Sequence, residues 1–292
     1  MKSHWNEDYA DVWDKILPPS KPSQSEIMIY TDIAHKLKNK LKRKIDILIL
    51  GSTKEFREWA YEEKMNVTIV DFSKKYHDNI SKLIDKNVIK KEKLIIEKWE
   101  DINFQEEFDI IIGDSVIGNI AKEKHDEFIN KISSALRNNG IFMGKTYLAQ
   151  TRTKSKRIEE IINEYKNEYY MYNPFSYLIY DLAMISTNNN VINFKKIYDT
   201  LLKLRKKEII TDKILDSFES IKKLGEKGFK FYVLTIKEYE LLLEKYMKIT
   251  NILYGKDIYS KKFPIYIVEN KEKKWENVSR IRNKWKSNQS VR

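Results

Sequence analysis

The chain has 292 residues, and its 55 Lys and Arg against 43 Asp and Glu give a formal net charge of +12. Hydrophobic residues make up 41 % of the sequence, which also has 8 Gly, 5 Pro and no Cys. This composition supplies a sizeable core and excludes intrinsic disorder, collagen-like repeats, disulfide scaffolds and cysteine nucleophiles.

The histidines and the N-terminal residues bear on two further features, a bound metal and a membrane or signal segment. No two of the four histidines have the i, i+4 spacing of a helical metal site, so we expect no bound metal. These histidines are His4, His35, His77 and His125. The first residues contain no apolar signal region, and no stretch approaches 18 uncharged apolar residues. We therefore expect a cytoplasmic protein with no membrane partner.

Basic residues concentrate in two places, Lys36–Lys44 and the C-terminal tail 271–292. Elsewhere acidic residues are interleaved with the basic ones, which favours a solvated surface. A nucleic-acid partner remains an alternative that we do not favour.

The first 23 residues contain Trp5, Trp13 and three prolines, and they predict a short helix followed by an extended turn. From 24 to 150, helices alternate with short apolar strands. The predicted helices are 25–41, 54–65, 74–84 and 124–138, and the predicted strands are 45–50, 67–70, 93–96, 108–112 and 141–147. Gly140 is expected to separate the last helix from the fifth strand. Apolar strands joined through helices are typical of a parallel sheet covered on both faces.

Residues 151–228 interrupt this alternation with four helical stretches and no strand, and they predict a helical insertion. The insertion has six tyrosines between positions 165 and 180, which either line an amphipathic cavity or belong to the insertion's own core. Two strands at 229–236 and 263–268, with a helix at 237–250, are expected to complete the sheet within 229–270. The predicted fold is α/β, a mostly parallel seven-stranded Rossmann-like sheet with helices on both faces and a helical insertion.

Four predicted strand ends carry residues suited to a nucleoside ligand, which binds at this edge of such a sheet. Gly51-Ser52-Thr53 follows the first strand, where glycine permits close approach to backbone N–H groups. Asp71-Phe72-Ser73 follows the second strand, where a carboxylate can accept both hydroxyls of a ribose. Trp99 offers an aromatic face for an adenine ring, and Asp114 follows the fourth strand. Each of these residues could alone be a turn, a helix cap or a core residue.

Between Ile45 and Leu148 the segments ILILGSTKEFREW, VTIVDFSKK, EKWEDI, FDIIIGDSVIGNI and LRNNGIFMGKTYL follow one another in this order. In this order they resemble the class I S-adenosylmethionine-dependent methyltransferases, and most closely a branch with a single-glycine G-x-T-x-E first loop. The resemblance implies that S-adenosyl-L-methionine is the cofactor. It implies cofactor contacts from Gly51, Ser52, Thr53, Asp71, Phe72, Ser73, Trp99 and Asp114.

Methyl transfer needs alignment of the reactants more than a catalytic triad. Asp114, His125 and Tyr147 are candidates for orienting the acceptor or removing its proton. The expected acceptor is a small molecule or a peptide, and the insertion is expected to form a lid over it.

Two alternatives stay open, and a third class of protein is disfavoured. The chain could instead be a nucleic-acid methyltransferase or nucleic-acid-binding protein. It could also be an inactive relative acting as an interaction subunit, because Thr53 and Glu55 replace the later glycines of the usual loop. A nicotinamide dehydrogenase is disfavoured, since the G-x-G-x-x-G phosphate cradle is missing.

Overall fold

The computed structural model of the chain describes Trp13 and residues 16–149, 156–258 and 260–270. Trp5, most of the predicted N-terminal helix and the basic tail 271–292 lie outside the described residues. The strands in the described part are β1 (Asp46–Leu50), β2 (Asn66–Asp71), β3 (Glu92–Ile96), β4 (Phe108–Asp114), β5 (Leu136–Lys145), β6 (Thr187–Asn188), β7 (Val191–Ile192), β8 (Phe231–Tyr232), β9 (Met247–Leu253) and β10 (Ile265–Asn270).

Seven of these strands form one sheet in the order β3-β2-β1-β4-β5-β10-β9. β1 to β5 pair in parallel, whereas β10 runs antiparallel to both β5 and β9. The chain moves outward from β1 to β3 and then returns to place β4 on the other side of β1, so the switch point lies between β1 and β4. The predicted α/β fold with a mostly parallel seven-stranded sheet is confirmed.

Eleven α-helices occur in the described part of the chain. They are α1 (Gln24–Leu41), α2 (Lys54–Glu62), α3 (Lys74–Ser81), α4 (Lys86–Ile89), α5 (His125–Ala135), α6 (Ile158–Glu164), α7 (Pro174–Ser186), α8 (Phe194–Lys206), α9 (Asp212–Asp216), α10 (Glu219–Glu226) and α11 (Ile236–Tyr246). None of the helices in the described part is both long and apolar enough to span a bilayer.

Alternating residues of β1 show how both faces of the sheet are covered. Ile47 and Ile49 belong to a core with α1 and α2, whereas Leu48 and Leu50 belong to a core with α5 and α11. Successive strand residues point to opposite faces, so a strand buried on both sides must be apolar throughout. The run ILIL at 47–50 meets that requirement, and Asp46 stands at the half-buried start of the strand.

The predicted strand at 229–236 is wrong as part of the main sheet. Only Phe231–Tyr232 is extended there, and it pairs with β7 in a separate three-stranded sheet of β6, β7 and β8. Thr235 then caps α11 through a capping box with Glu238, which ends the extended segment. The main sheet instead takes β9, whose first residues overlap the end of the helix predicted at 237–250.

Two smaller expectations are also corrected. The insertion does contain strands, because β6 and β7 form a hairpin whose turn residues Asn189 and Asn190 both have positive φ. Asparagine tolerates that conformation, which suits a tight hairpin turn. Gly140 does not separate α5 from the fifth strand but lies inside that strand, and the pairing of β4 with β5 is irregular between Phe108 and Ile110.

Candidate functional site

A cavity of about 230 Å³ opens at the carboxyl edge of the sheet, over the switch point. Strand ends form one side of it, the insertion forms the other, and Trp13, Ile16 and Ser20 also contribute. The strand-end residues that line it are Leu50, Gly51, Ser52, Thr53, Asp71, Phe72, Trp99, Asp114, Ser115 and Asn119. The structure therefore brings together most of the residues predicted from four separate strand ends.

Gly51 follows β1 with φ +94°, a conformation that favours glycine. Its N–H donates to the carbonyl of Val70 at 2.8 Å, which ties the loop to β2. A Cβ at this position would lie 3.3 Å from Cζ2 of Trp99. Because glycine has no side chain, the space between the end of β1 and the indole ring stays open to a ligand.

Asp71, at the end of β2, is buried within a network of short hydrogen bonds. Its Oδ2 accepts from Ser52 Oγ at 2.6 Å, and its Oδ1 accepts from the N–H of Ser73 at 2.9 Å. Ser52 Oγ also lies 3.1 Å from Nδ1 of His77. Burial raises the pKa of Asp71, and the hydrogen bonds from Ser52 and Ser73 lower it only in part.

Trp99 and Phe72 form an aromatic corner of the cavity. Trp99 Nε1 donates to the carbonyl of Val70 at 2.8 Å, and the two rings pack edge to face at 5.9 Å between centroids. Ser73 has a different role, because its Oγ accepts from the N–H of Tyr76 and caps α3. Ser73 is not one of the described residues that line the cavity, although its N–H donates to Asp71.

Asp114, at the end of β4, pairs with a lysine that the sequence analysis missed. Lys145 stands opposite Asp114 in the β4–β5 register, and its Nζ lies 2.9 Å from Asp114 Oδ2 and 3.0 Å from Glu26 Oε2. Burial raises the pKa of Asp114 and Glu26 against the lowering influence of the ammonium. Burial alone would lower the pKa of Lys145, but the two carboxylates have the larger effect, and the pKa is raised. A lone charge within the apolar run IFMGKTYL was the available signal.

The other two predicted catalytic residues lie in different surroundings. Tyr147 lines the cavity, stacks on Phe263 at 5.1 Å and donates its hydroxyl to the carbonyl of Tyr180. Burial raises its pKa well above the ordinary value. His125 is buried at the start of α5 with Nε2 2.9 Å from the carbonyl of Ile120. It is not among the described residues that line the cavity.

Phenylalanines, more than the predicted tyrosines, form the insertion side of the cavity. Of the six tyrosines between 165 and 180, all within the described part, only Tyr180 lines it. Tyr165 and Tyr177 belong to the insertion's core, and Tyr170 is 68 % exposed. The lining residues on this side are Phe175, Ile179, Tyr180, Ala183, Ile192, Phe194, Ile221 and Leu224 of the insertion, and Phe229 and Phe231 directly after it.

Asn119 is a second residue that the sequence analysis missed. It lines the cavity from the turn after β4, and its Nδ2 donates to the carbonyl of Ser115 at 3.0 Å. Its Oδ1 is buried and accepts no hydrogen bond from the described residues. No group of three or more His, Cys, Asp or Glu side chains in the described part is placed to hold a metal ion.

No protein-family model and no curated protein matches the chain, whereas many solved structures do. One is a Rhodobacter sphaeroides protein named as a zinc-dependent alcohol dehydrogenase (TM-score 0.59, 13 % identity, 92 % of this chain and 97 % of that chain covered). A Methanosarcina mazei protein named as a SAM-dependent methyltransferase has a TM-score of 0.50 at 15 % identity, over 82 % of this chain and 96 % of its own.

The 1,6-didemethyltoxoflavin-N1-methyltransferase of Burkholderia thailandensis, solved with S-adenosylhomocysteine, also matches with a TM-score of 0.50. It is 10 % identical, over 91 % of this chain and 83 % of its own. At these identities the likeness concerns the fold. The sheet order and these likenesses show a Rossmann-like fold, which the two methyltransferases share with this chain.

Proposed function

We propose that the protein is an S-adenosylmethionine-dependent methyltransferase that acts on a small-molecule acceptor. The observation that carries the proposal is the convergence of Gly51, Asp71, Trp99 and Asp114 on one cavity at the switch point. These residues come from the ends of β1, β2, β3 and β4, and each offers a different part of the chemistry that a nucleoside cofactor needs.

The residues present fit that cofactor. A carboxylate has about four acceptor sites, so Asp71 retains lone pairs for ribose hydroxyls beside its bonds to Ser52 and Ser73. Trp99 supplies an apolar ring face beside Gly51, where no Cβ intervenes. A single glycine suffices because this cofactor has no phosphate, and we propose on that ground that the chain belongs to the single-glycine branch.

When bound, the cofactor would supply an electrophilic methyl carbon on a sulfonium sulfur. Asp114 would hold the cofactor's cationic part, because its carboxylate lines the cavity at the switch point and is fixed by Lys145. The apolar insertion wall would exclude water from the reacting atoms. Tyr147 has a raised pKa and donates to a backbone carbonyl, so it would orient the acceptor rather than remove a proton.

The insertion, 151–228 with the strand β8 beyond it, would form the acceptor side of the cleft. Its described residues line the cavity opposite the strand ends. The other functions have less support. The loop after β1 has no second glycine for a pyrophosphate, and the intact cavity with Asp71 speaks against an inactive relative.

Titration calorimetry with S-adenosylhomocysteine tests the proposal. We expect micromolar binding by the unaltered protein, and at least a tenfold loss in Asp71→Asn, because hydrogen bonds to a charged group contribute about 1.5–3 kcal/mol. Asp78→Asn is the matched control, since Asp78 is an exposed aspartate of α3 paired with Lys74. No binding by the unaltered protein, or equal binding by Asp71→Asn, would contradict the proposal.

A further inference from the structure

The insertion side of the cavity is apolar and rich in aromatic rings. Phe175, Phe194, Phe229 and Phe231 line it, together with aliphatic residues such as Leu224. Phe194 and Phe229 pack with centroids 5.6 Å apart. No Lys, Arg, His, Asp or Glu from the described residues 156–258 lines the cavity.

The charges that do line the cavity all have one sign. Asp71 and Asp114 are the charged residues among its described lining, and both belong to the strand ends. An anionic acceptor would therefore meet no cationic side chain among the described lining residues, and burying a charge without such a partner costs several kcal/mol. A cationic acceptor would compete for carboxylates that the proposed function assigns to the cofactor.

The four phenylalanines on the insertion side, here called the aromatic wall, meet the strand ends at a close contact. Phe231 of β8 packs onto Gly118 in the turn after β4, where a Cβ would lie 2.2 Å from the ring. The same turn carries Asn119, which lines the cavity. Aromatic rings on the insertion side thus stand beside the strand end of Asp114 in one continuous cavity.

We propose that the acceptor is an uncharged, ring-containing small molecule held by the aromatic wall of the insertion. Flat rings gain from offset-stacked or edge-to-face contacts with phenylalanine beyond the burial of area, which a linear chain does not. This inference rests on the proposed function, because it assigns the strand side of the cavity to S-adenosylmethionine. A nucleic acid or a charged peptide does not fit such a wall.

The experiment compares four probes by calorimetry in the presence of saturating S-adenosylhomocysteine. 3-Ethylindole, tryptamine and indole-3-acetate share a ring and a substituent of similar size but differ in charge, and 1-octanol is a linear apolar probe. We expect 3-ethylindole to bind at least tenfold more tightly than either charged probe and about fivefold more tightly than 1-octanol. Equal binding of a charged probe, or preference for 1-octanol, would overturn the inference.

Variants of Ala183 test whether 3-ethylindole binds on the insertion side of the cavity. Ala183→Phe fills the insertion side of the cavity, and we expect it to weaken 3-ethylindole at least tenfold while S-adenosylhomocysteine binds within twofold of its normal affinity. If the larger side chain prevents folding, Ala183→Leu is used in place of Ala183→Phe. Leu202→Phe, at a 36 % exposed site on α8, is the control and should bind both ligands normally.

The two proposals fail in different ways. Normal binding of S-adenosylhomocysteine without the preference for 3-ethylindole overturns only the inference. So does normal affinity for 3-ethylindole in the Ala183 variant that folds. Absence of S-adenosylhomocysteine binding overturns the proposed function, and the inference falls with it.

Discussion

At the scale of single residues, three buried side chains near the ends of β1 and β2 hold one another in place. Ser52 donates its hydroxyl proton to Asp71, so its oxygen is left to accept from Nδ1–H of His77. Burial lowers the pKa of His77 to about 4, which keeps the ring neutral at physiological pH. The network thereby fixes the carboxylate of Asp71 before any ligand arrives.

The neutral state of His77 predicts a pH dependence of stability. In the unfolded chain His77 titrates near pH 6.5, and in the folded chain near pH 4, so between these values only the unfolded chain binds the proton. The free energy of unfolding should therefore fall as the pH falls from about 6.5 to 4. In His77→Asn, whose amide can still donate to Ser52, this fall should be smaller by about 2 kcal/mol.

Urea unfolding at several pH values measures this difference. His35→Asn is the control, because His35 lies at an exposed site beside Glu63, and it should follow the unaltered protein. A pH profile of His77→Asn identical to that of the unaltered protein would show that His77 is not the titrating group.

Lys145 gives a second prediction at this scale. Its side chain is fully buried between Glu26 and Asp114, and it also donates to the carbonyl of Pro19 at 3.0 Å. Lys145→Met leaves two buried carboxylates without a cation, so we expect a loss of about 3–5 kcal/mol in the free energy of unfolding.

Chemical denaturation at neutral pH measures that loss. Adding Glu26→Gln to Lys145→Met should recover part of it, because only one buried carboxylate then remains uncompensated. Lys74→Met, at an exposed ion pair with Asp78, is the control and should unfold as the unaltered protein does. Unchanged stability of Lys145→Met would contradict the ion-pair network.

At the scale of elements, the sequence predicts the parallel half of the sheet well and its far edge poorly. β1, β2 and β4 are buried on both faces, so their apolar runs are continuous and visible in the sequence. β9 lies at the edge and is largely exposed or half-buried, so MKITNIL lacks a clear strand period. The capping box of Thr235 and Glu238 was the signal that would have ended the strand predicted at 229–236 before Thr235.

The contact between the turn after β4 and β8 predicts a third outcome. Gly118→Ala would place a methyl group 2.2 Å from the ring of Phe231, so the ring, the turn or the strand must shift. We expect a loss of about 1–3 kcal/mol, as for other overpacked sites. Thermal and urea unfolding measure it, and adding Phe231→Leu should restore most of the loss. Gly118→Ala with unaltered stability would mean that this contact is not tight.

At the scale of the whole molecule, the candidate site joins segments that are far apart in sequence. The strand-end residues Gly51, Asp71, Trp99 and Asp114 could be predicted because parallel strands bring their carboxyl ends to one edge. The partnership of Glu26 with Lys145 could not, because it joins residues 119 positions apart. It could also not be predicted that phenylalanines rather than tyrosines line the insertion side of the cavity. Helical stripes mark buried residues, but they do not show whether a residue faces the cavity or the insertion's own core.

A crystal structure of the protein grown with S-adenosylhomocysteine tests the central claim most directly. The ribose should lie within hydrogen-bonding distance of the Asp71 carboxylate, with the adenine beside Trp99 and the thioether near Asp114. A nucleoside bound elsewhere on the molecule, or a cavity left empty at saturating ligand, would contradict the assignment.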